Sequence, residues 1–244
     1  MTRILLSLLL ALTCYAPTPL FLLQNGASAA ASVPAPLRLS VAALQYLRTP
    51  PAGAIASWTD ESGNGNHATQ GTTAKQPQGI SAAYNGKNCA RFDATDDSMD
   101  HTSVNSKACW MVIKGSVWNS TVAYVSGGNA RGYFPDINAF SAGPGGFDSS
   151  NLRVANSTNR IATGSLVSLL ITSTKVFVNG VEVTGYRDTG TVGTVAVTRL
   201  NSRTDIDNYR SALDLVEIAH FDGTPSASDV TALATWARDE YGTP

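Results

Sequence analysis

Short runs of alternating apolar and polar residues fill most of the chain, and clusters of Gly, Asn, Asp and Pro separate them. A period of two marks a strand, because successive side chains point to opposite faces of a sheet. This pattern predicts strands at residues 41–48, 54–60, 89–93, 98–102, 107–115, 121–126, 151–155, 166–172 and 213–221. The 107–115 run contains Ala108-Cys-Trp-Met-Val-Ile113, apolar enough to lie at the centre of a sandwich. Residues 175–183 read as a hairpin, since two alternating runs flank Asn179-Gly180, the pair a type I′ turn prefers. The period changes to that of a helix near the end. Val230, Leu233, Ala234, Ala237 and Tyr241 share one helical face, Ser226 and Asp229 form a capping box, and Gly242 closes the helix.

Residues 127–150 fit neither period. They hold Gly127-Gly-Asn129, Pro135-Asp136 and Gly143-Pro-Gly-Gly146, with Tyr133, Phe134, Phe140 and Phe147 interleaved. So much Gly predicts long loops and short strands at one rim. A chain of 244 residues holds one large β-sandwich or two small domains, and 43% hydrophobic residues suffice for a core. Only 14% of residues are charged, so Ser, Thr, Asn and Gly fill the surface. The formal net charge is −1 and no Lys/Arg run occurs. Without a basic stripe to neutralise phosphates, a nucleic-acid partner is not expected.

Cysteine is sparse. Cys14 lies in the leader, and Cys89 and Cys109 are either a disulfide formed in an oxidising compartment or two buried thiols. No pair has zinc-site spacing, and His67, His101 and His220 are far apart in sequence.

Residues 1–36 have a different texture. Met1-Thr-Arg3, the apolar run 4–12 and the small residues Ala27-Ser-Ala29 have the order of a secretory signal cleaved before Ala30. The run is too short to cross a bilayer and Pro17 and Pro19 end it, so no transmembrane span is expected. A second patch, Leu20-Phe-Leu-Leu23, then a Gln24-Asn-Gly26 turn, favours an apolar arm buried against a neighbouring subunit through residues 4–23. Both readings stand. Residues 27–36, Ala and Ser with two prolines, read as a linker, and the folded body is expected over 37–244.

Two turns carry the most specific residues: Trp58-Thr-Asp-Glu-Ser-Gly-Asn-Gly-Asn-His-Ala-Thr-Gln70 and Ala90-Arg-Phe-Asp-Ala-Thr-Asp-Asp97. With the Val178-Asn-Gly180 hairpin, the Glu217-Ile-Ala-His-Phe221 strand and a helix ending Tyr241-Gly242, they resemble LamG-like domains of the concanavalin A-like lectin/glucanase superfamily. The likeness covers residues 41–242 and is of the kind found in tailed-phage structural proteins and bacterial surface proteins. It implies an all-β, two-sheet antiparallel jelly-roll sandwich with a short C-terminal helix and an extended apolar N-terminal arm. It also implies a virion structural or decoration protein, held to other virion proteins by its arm and adhering weakly to a host-surface glycan. The alternative is a secreted bacterial carbohydrate-binding module with a cleaved signal peptide.

The superfamily includes glucanases, whose catalytic strand reads E-x-D-x-x-E. No such strand occurs here, and Asp214 and Glu217, three residues apart, would face opposite sides of a regular strand. A protein that is not an enzyme is therefore expected. Asp60, Asn64, Asp93, Asp96 and Asp97 offer the oxygens that Ca²⁺ takes, or else brace their own turns; no other cofactor is implied. For a sugar, Trp118, Tyr133, Phe134 and Tyr209 beside Asn129 and Asp136 supply aromatic faces and hydrogen-bonding groups. The bland alternative is that these aromatics cover the sandwich ends.

Overall fold

The computed structural model describes residues 33–117, 126–127, 132–138, 141–147, 152–154, 164–183, 186–189, 194–202 and 210–244. Its strands form two antiparallel nine-stranded sheets. The first runs Val181–Glu182, Val176–Val178, Leu166–Thr172, Ala108–Val117, Ala212–Phe221, Lys87–Phe92, Gln78–Tyr84 and Gly53–Ala54. Ala43–Arg48 also joins it, pairing with the upper half of Ala212–Phe221. The second runs Tyr186–Thr189, Leu152–Val154, Ser141–Phe147, Gly132–Asn138, Ser126–Gly127, Val195–Leu200, Met99–Ser106, Ala68–Thr69 and Ser57–Trp58. The helix, Ala227–Tyr241, lies against the outer face of the first sheet. Val33–Pro244 is one compact unit.

Burial explains the central apolar run. Cys109, Met111 and Ile113 point between the sheets, where they meet Leu47, Trp58, Phe92, Met99, Leu169 and Val197. Ala108, Trp110 and Val112 point the other way, under Val230, Leu233, Ala237 and Tyr241 of the helix. A strand covered on both faces must be apolar throughout. Burying each large side chain contributes roughly 1.5–3 kcal/mol. Trp110, fully buried, also donates its indole N–H to Ser168 Oγ at 2.8 Å.

The same alternation separates the cysteines. Cys89 belongs to the helix-side core and Cys109 to the core between the sheets, so they lie on opposite faces of one sheet and are free thiols.

The hairpin and the cap form as the sequence indicates. Asn179 and Gly180 take φ of 50° and 79°, as a type I′ turn requires, with Val178 paired to Val181. Asn179 Oδ1 accepts from Ser168 N at 2.9 Å, which ties the turn to its neighbouring strand. Ser226 and Asp229 complete a capping box, and Gly242 is left-handed at φ 76°.

Four strands depart from the expectation. Residues 132–138 and 141–147 pair as a seven-residue hairpin ladder, not as rim loops. Gln78–Tyr84 and Val195–Leu200 are additional strands, each with a register shift that breaks strict alternation. A bulge hides the period-two signal because it puts two residues of one strand opposite one of its partner.

Candidate functional site

The first motif folds into a turn clamped by its own polar side chains. Trp58 is buried and donates its indole N–H to Arg48 O at 2.9 Å. Asp60 accepts from Tyr46 N, Ser62 N and Asn66 N, each at 2.8–2.9 Å. His67 Nδ1 takes the Asp60 N–H at 2.9 Å. Gly63 and Gly65, at φ 87° and 72°, allow the chain to double back. Asn64 Nδ2 donates to Ala43 O at 2.9 Å and Leu44 O at 3.2 Å, and Asn66 Nδ2 to Leu44 O at 2.8 Å. The turn is thereby fastened to the first residues of Ala43–Arg48.

That fastening builds one wall of a groove of about 780 Å³, open to solvent, at one end of the sandwich. Strand register gathers its walls: Val195 pairs with Ser106, Phe221 with Ala108 and Ala43 with Phe221, so these strand ends meet at one rim. Asn64 and Asn66 stand on one side, and Ser103, Asn105, Lys107 and Thr194 on the other. Leu44 and Val104 supply apolar surface, and Asp222 completes the lining while accepting from Ala42 N at 3.0 Å. Asn64 Oδ1 and the side chains of Asn105 and Lys107 have no partner among the described residues. The groove therefore offers two amides held in position, Asn64 and Asn66, further amide and hydroxyl groups, one cation and one carboxylate.

A buried polar layer lies close to this rim. Gln45, fully buried, donates to Asn66 O at 2.6 Å. His101 and His220 stack between the sheets with ring centroids 6.3 Å apart, and burial pushes both below the usual imidazole range, keeping them neutral. The three histidines, distant in sequence, thus belong to one region: Ala68 and Thr69 follow His67 directly, and Thr69 pairs with Asp100 next to His101.

The second motif gathers Asp93, Asp96 and Asp97, with carboxylate oxygens within 4.8 Å of one another; Asp60 and Asn64 are not part of that group. Asp93 Oδ1 accepts from Thr95 N, Asp96 N and Asp97 N at 2.9–3.3 Å, and Asp97 Oδ2 from Asp93 N at 2.8 Å. Burial works to raise Asp93, but its three backbone donors hold it below the usual carboxylate range. Burial pushes Asp97 up to about 6. Asp93 and Asp97 thus brace their own turn through one oxygen each.

The two remaining acidic residues overturn a strand-geometry expectation. A register shift between Leu215 and Glu217 marks a bulge at Val216, which puts Asp214 and Glu217 on the same face, the one under the helix. Each is in its own polar nest. Arg91 holds Asp214 in a bidentate pair at 2.7 and 3.0 Å, and Tyr84 adds a hydroxyl at 2.5 Å. Glu217 is fully buried, with Tyr46 and Trp236 donating to its two oxygens. Burial pushes it up to about 7. Tyr46 is also fully buried, so nothing the size of a saccharide reaches this pair.

Of the aromatic platform expected from sequence, Trp118, Asn129 and Tyr209 lie outside the described residues. Tyr133, Phe134 and Asp136 belong to the Gly132–Asn138 strand, whose backbone alone is described. The groove residues Ser103, Asn105, Lys107 and Thr194 had no sequence signal. They are ordinary polar residues that register, not spacing, brings together.

No family model matches the sequence, and no curated protein matches it. Solved structures do. A Trypanosoma rangeli sialidase in complex with sialic acid aligns over 82% of this chain and 33% of its own, with a TM-score of 0.56 and 10% identity. A GH54 α-L-arabinofuranosidase soaked with 4-nitrophenyl α-L-arabinofuranoside aligns over 80% of this chain and 59% of its own, with a TM-score of 0.50 and 12% identity. The chain thus spans about a third of the sialidase and somewhat over half of the arabinofuranosidase. Both neighbours are glycoside hydrolases, which corrects the expectation of a protein without enzymatic activity: the missing E-x-D-x-x-E strand does not separate this fold from enzymes. At these identities the likeness is one of fold alone.

Proposed function

We propose that the chain is a carbohydrate-binding β-sandwich and that the rim groove at Asn64, Asn66, Asn105 and Thr194 is its glycan site. The observation that carries this reading is the groove's chemistry, convergent amides and hydroxyls beside aliphatic surface, on a fold shared with two glycoside hydrolases. Such groups match a sugar, whose hydroxyls need donors and acceptors and whose C–H face needs apolar contact. Each neutral hydrogen bond exchanges against one to water for a net of about 1 kcal/mol, so a single site binds weakly. Many copies on one surface would raise the avidity.

The finer LamG-like reading rests on the two turn motifs, and with it display on a virion or secretion. The leader supports display in either form. The intact mass of the mature protein separates them, since a start at Met1 or Thr2 supports an anchored arm at residues 4–23 and a start at Ala30 supports secretion. Among the described residues no helix is long and apolar enough to cross a membrane.

A glycan array probed with the oligomerised full chain tests the binding reading. Binding to at least one polysaccharide class, weakened by Asn105→Ala, is expected, and silence across the array contradicts it. Reducing-sugar release from the bound polysaccharide shows whether binding proceeds to cleavage.

A further inference from the structure

We propose that the rim groove takes an internal stretch of a linear oligosaccharide across two adjoining hollows, and not a single terminal sugar; this rests on the glycan-binding reading above. The second hollow, about 540 Å³, is lined by Leu37, Leu39, Ser40 and Val41 with Ser62. It shares Leu44 and Asn64 with the first, so the two meet at these residues. Each volume alone falls in the range of small-ligand sites, roughly 300–1,000 Å³. Together they exceed what one sugar ring fills. Both are open to solvent, which suits a chain that enters and leaves, whereas a terminal sugar is held by a closed end.

The walls have the composition a sugar chain needs. Leu37, Leu39, Val41 and Leu44 present aliphatic surface to ring C–H faces, and Asn66, Asn105 and Thr194 present hydrogen-bonding groups to hydroxyls. The wall at Ser40, Ala42 and Asn64 is also held in place. Ser40 donates from both N and Oγ to Asp229 at the helix cap, and Ala42 N donates to Asp222. Asn64 stands at the junction with its amide nitrogen bonded to Ala43 O, Leu44 O and Ser62 Oγ, which sets the orientation of its free Oδ1. A preformed acceptor at the midpoint is what a sugar unit bridging the hollows would meet, and prior ordering spares that cost on binding.

Isothermal titration of the full chain with malto-, cello-, xylo- and arabino-oligosaccharides, from monosaccharide to hexasaccharide, tests the proposal. In the series that binds, affinity should rise about tenfold or more from the monosaccharide to the tetrasaccharide and then level off. Asn64→Ala should lower tetrasaccharide affinity and flatten the length dependence. Leu39→Ala, which leaves the Asn64 turn intact, should likewise lower tetrasaccharide affinity and flatten the length dependence. Equal affinity for monosaccharide and tetrasaccharide overturns the two-hollow proposal and leaves the glycan reading standing. No binding in any series overturns both.

Discussion

A fully buried carboxyl needs donors, and Glu217 has Tyr46 and Trp236, one from a strand and one from the helix. Burial still makes its proton costly to lose, so the folded protein holds it to about pH 7 against an ordinary 4.5. Below 4.5 both folded and unfolded chains are protonated and the stabilising contribution is complete. Between 4.5 and 7 the unfolded chain releases its proton first, so this contribution falls as pH rises, by roughly 3 kcal/mol in all. His101 and His220 act with the opposite sign: burial lowers both, so their contribution is complete above 6.5 and falls on acidification. Urea titrations at pH 5, 6 and 7 on wild type and Glu217→Gln check the assignment. The variant should lack the decline toward pH 7, and an unchanged pH profile would show that Glu217 is ionised throughout. The sequence could not reveal this residue's position, because a spacing of three on a regular strand separates it from Asp214. Only the bulge at Val216 brings both to one face.

At the scale of elements, regular alternation was readable and irregular strands were not. The Asn179-Gly180 hairpin, the capped helix and the central Ala108–Val117 strand follow from local pattern, since each satisfies its own rule without help from distant residues. Gln78–Tyr84 does not. It is built of small residues, Ala82 takes φ 51°, and its register slips between Ile80 and Tyr84. Its position depends on Gly79, where a Cβ would lie 1.8 Å from Pro51 O. Gly79→Ala should therefore cost more than about 2 kcal/mol, because backbone has to move, while Gly71→Ala, with open space around it, should be near neutral. Similar melting temperatures for the two would show that the Pro51 contact yields easily. Trp110→Ala should cost roughly 3–5 kcal/mol, since the cavity would open beneath the helix with the Ser168 hydrogen bond lost. A loss under about 1 kcal/mol in chemical denaturation would mean that the helix-side core closes over the gap.

For the whole molecule, the two-sheet sandwich could be read from strand periodicity and from the two turn motifs, but the site could not. The Asp60 turn is a local structure, and Trp58, Asp60, Asn64 and Asn66 lie together because each bonds the neighbouring Ala43–Arg48 strand. The opposite wall, Ser103, Asn105, Lys107 and Thr194, comes from strand ends that meet only through sheet register. Sequence composition pointed instead to the Gly-rich stretch at 127–150, which pairs as strands over Gly132–Asn138 and Ser141–Phe147. The proposed glycan site is instead the rim that Asn64 and Asn105 line. Backbone amide shifts of the full chain, followed by NMR during titration with the best-binding oligosaccharide, test that choice most directly. Glycan binding at the rim predicts perturbed amides clustered at residues 62–66, 103–107, 194 and 222. Perturbations centred on residues 132–147, with the rim unmoved, would contradict it.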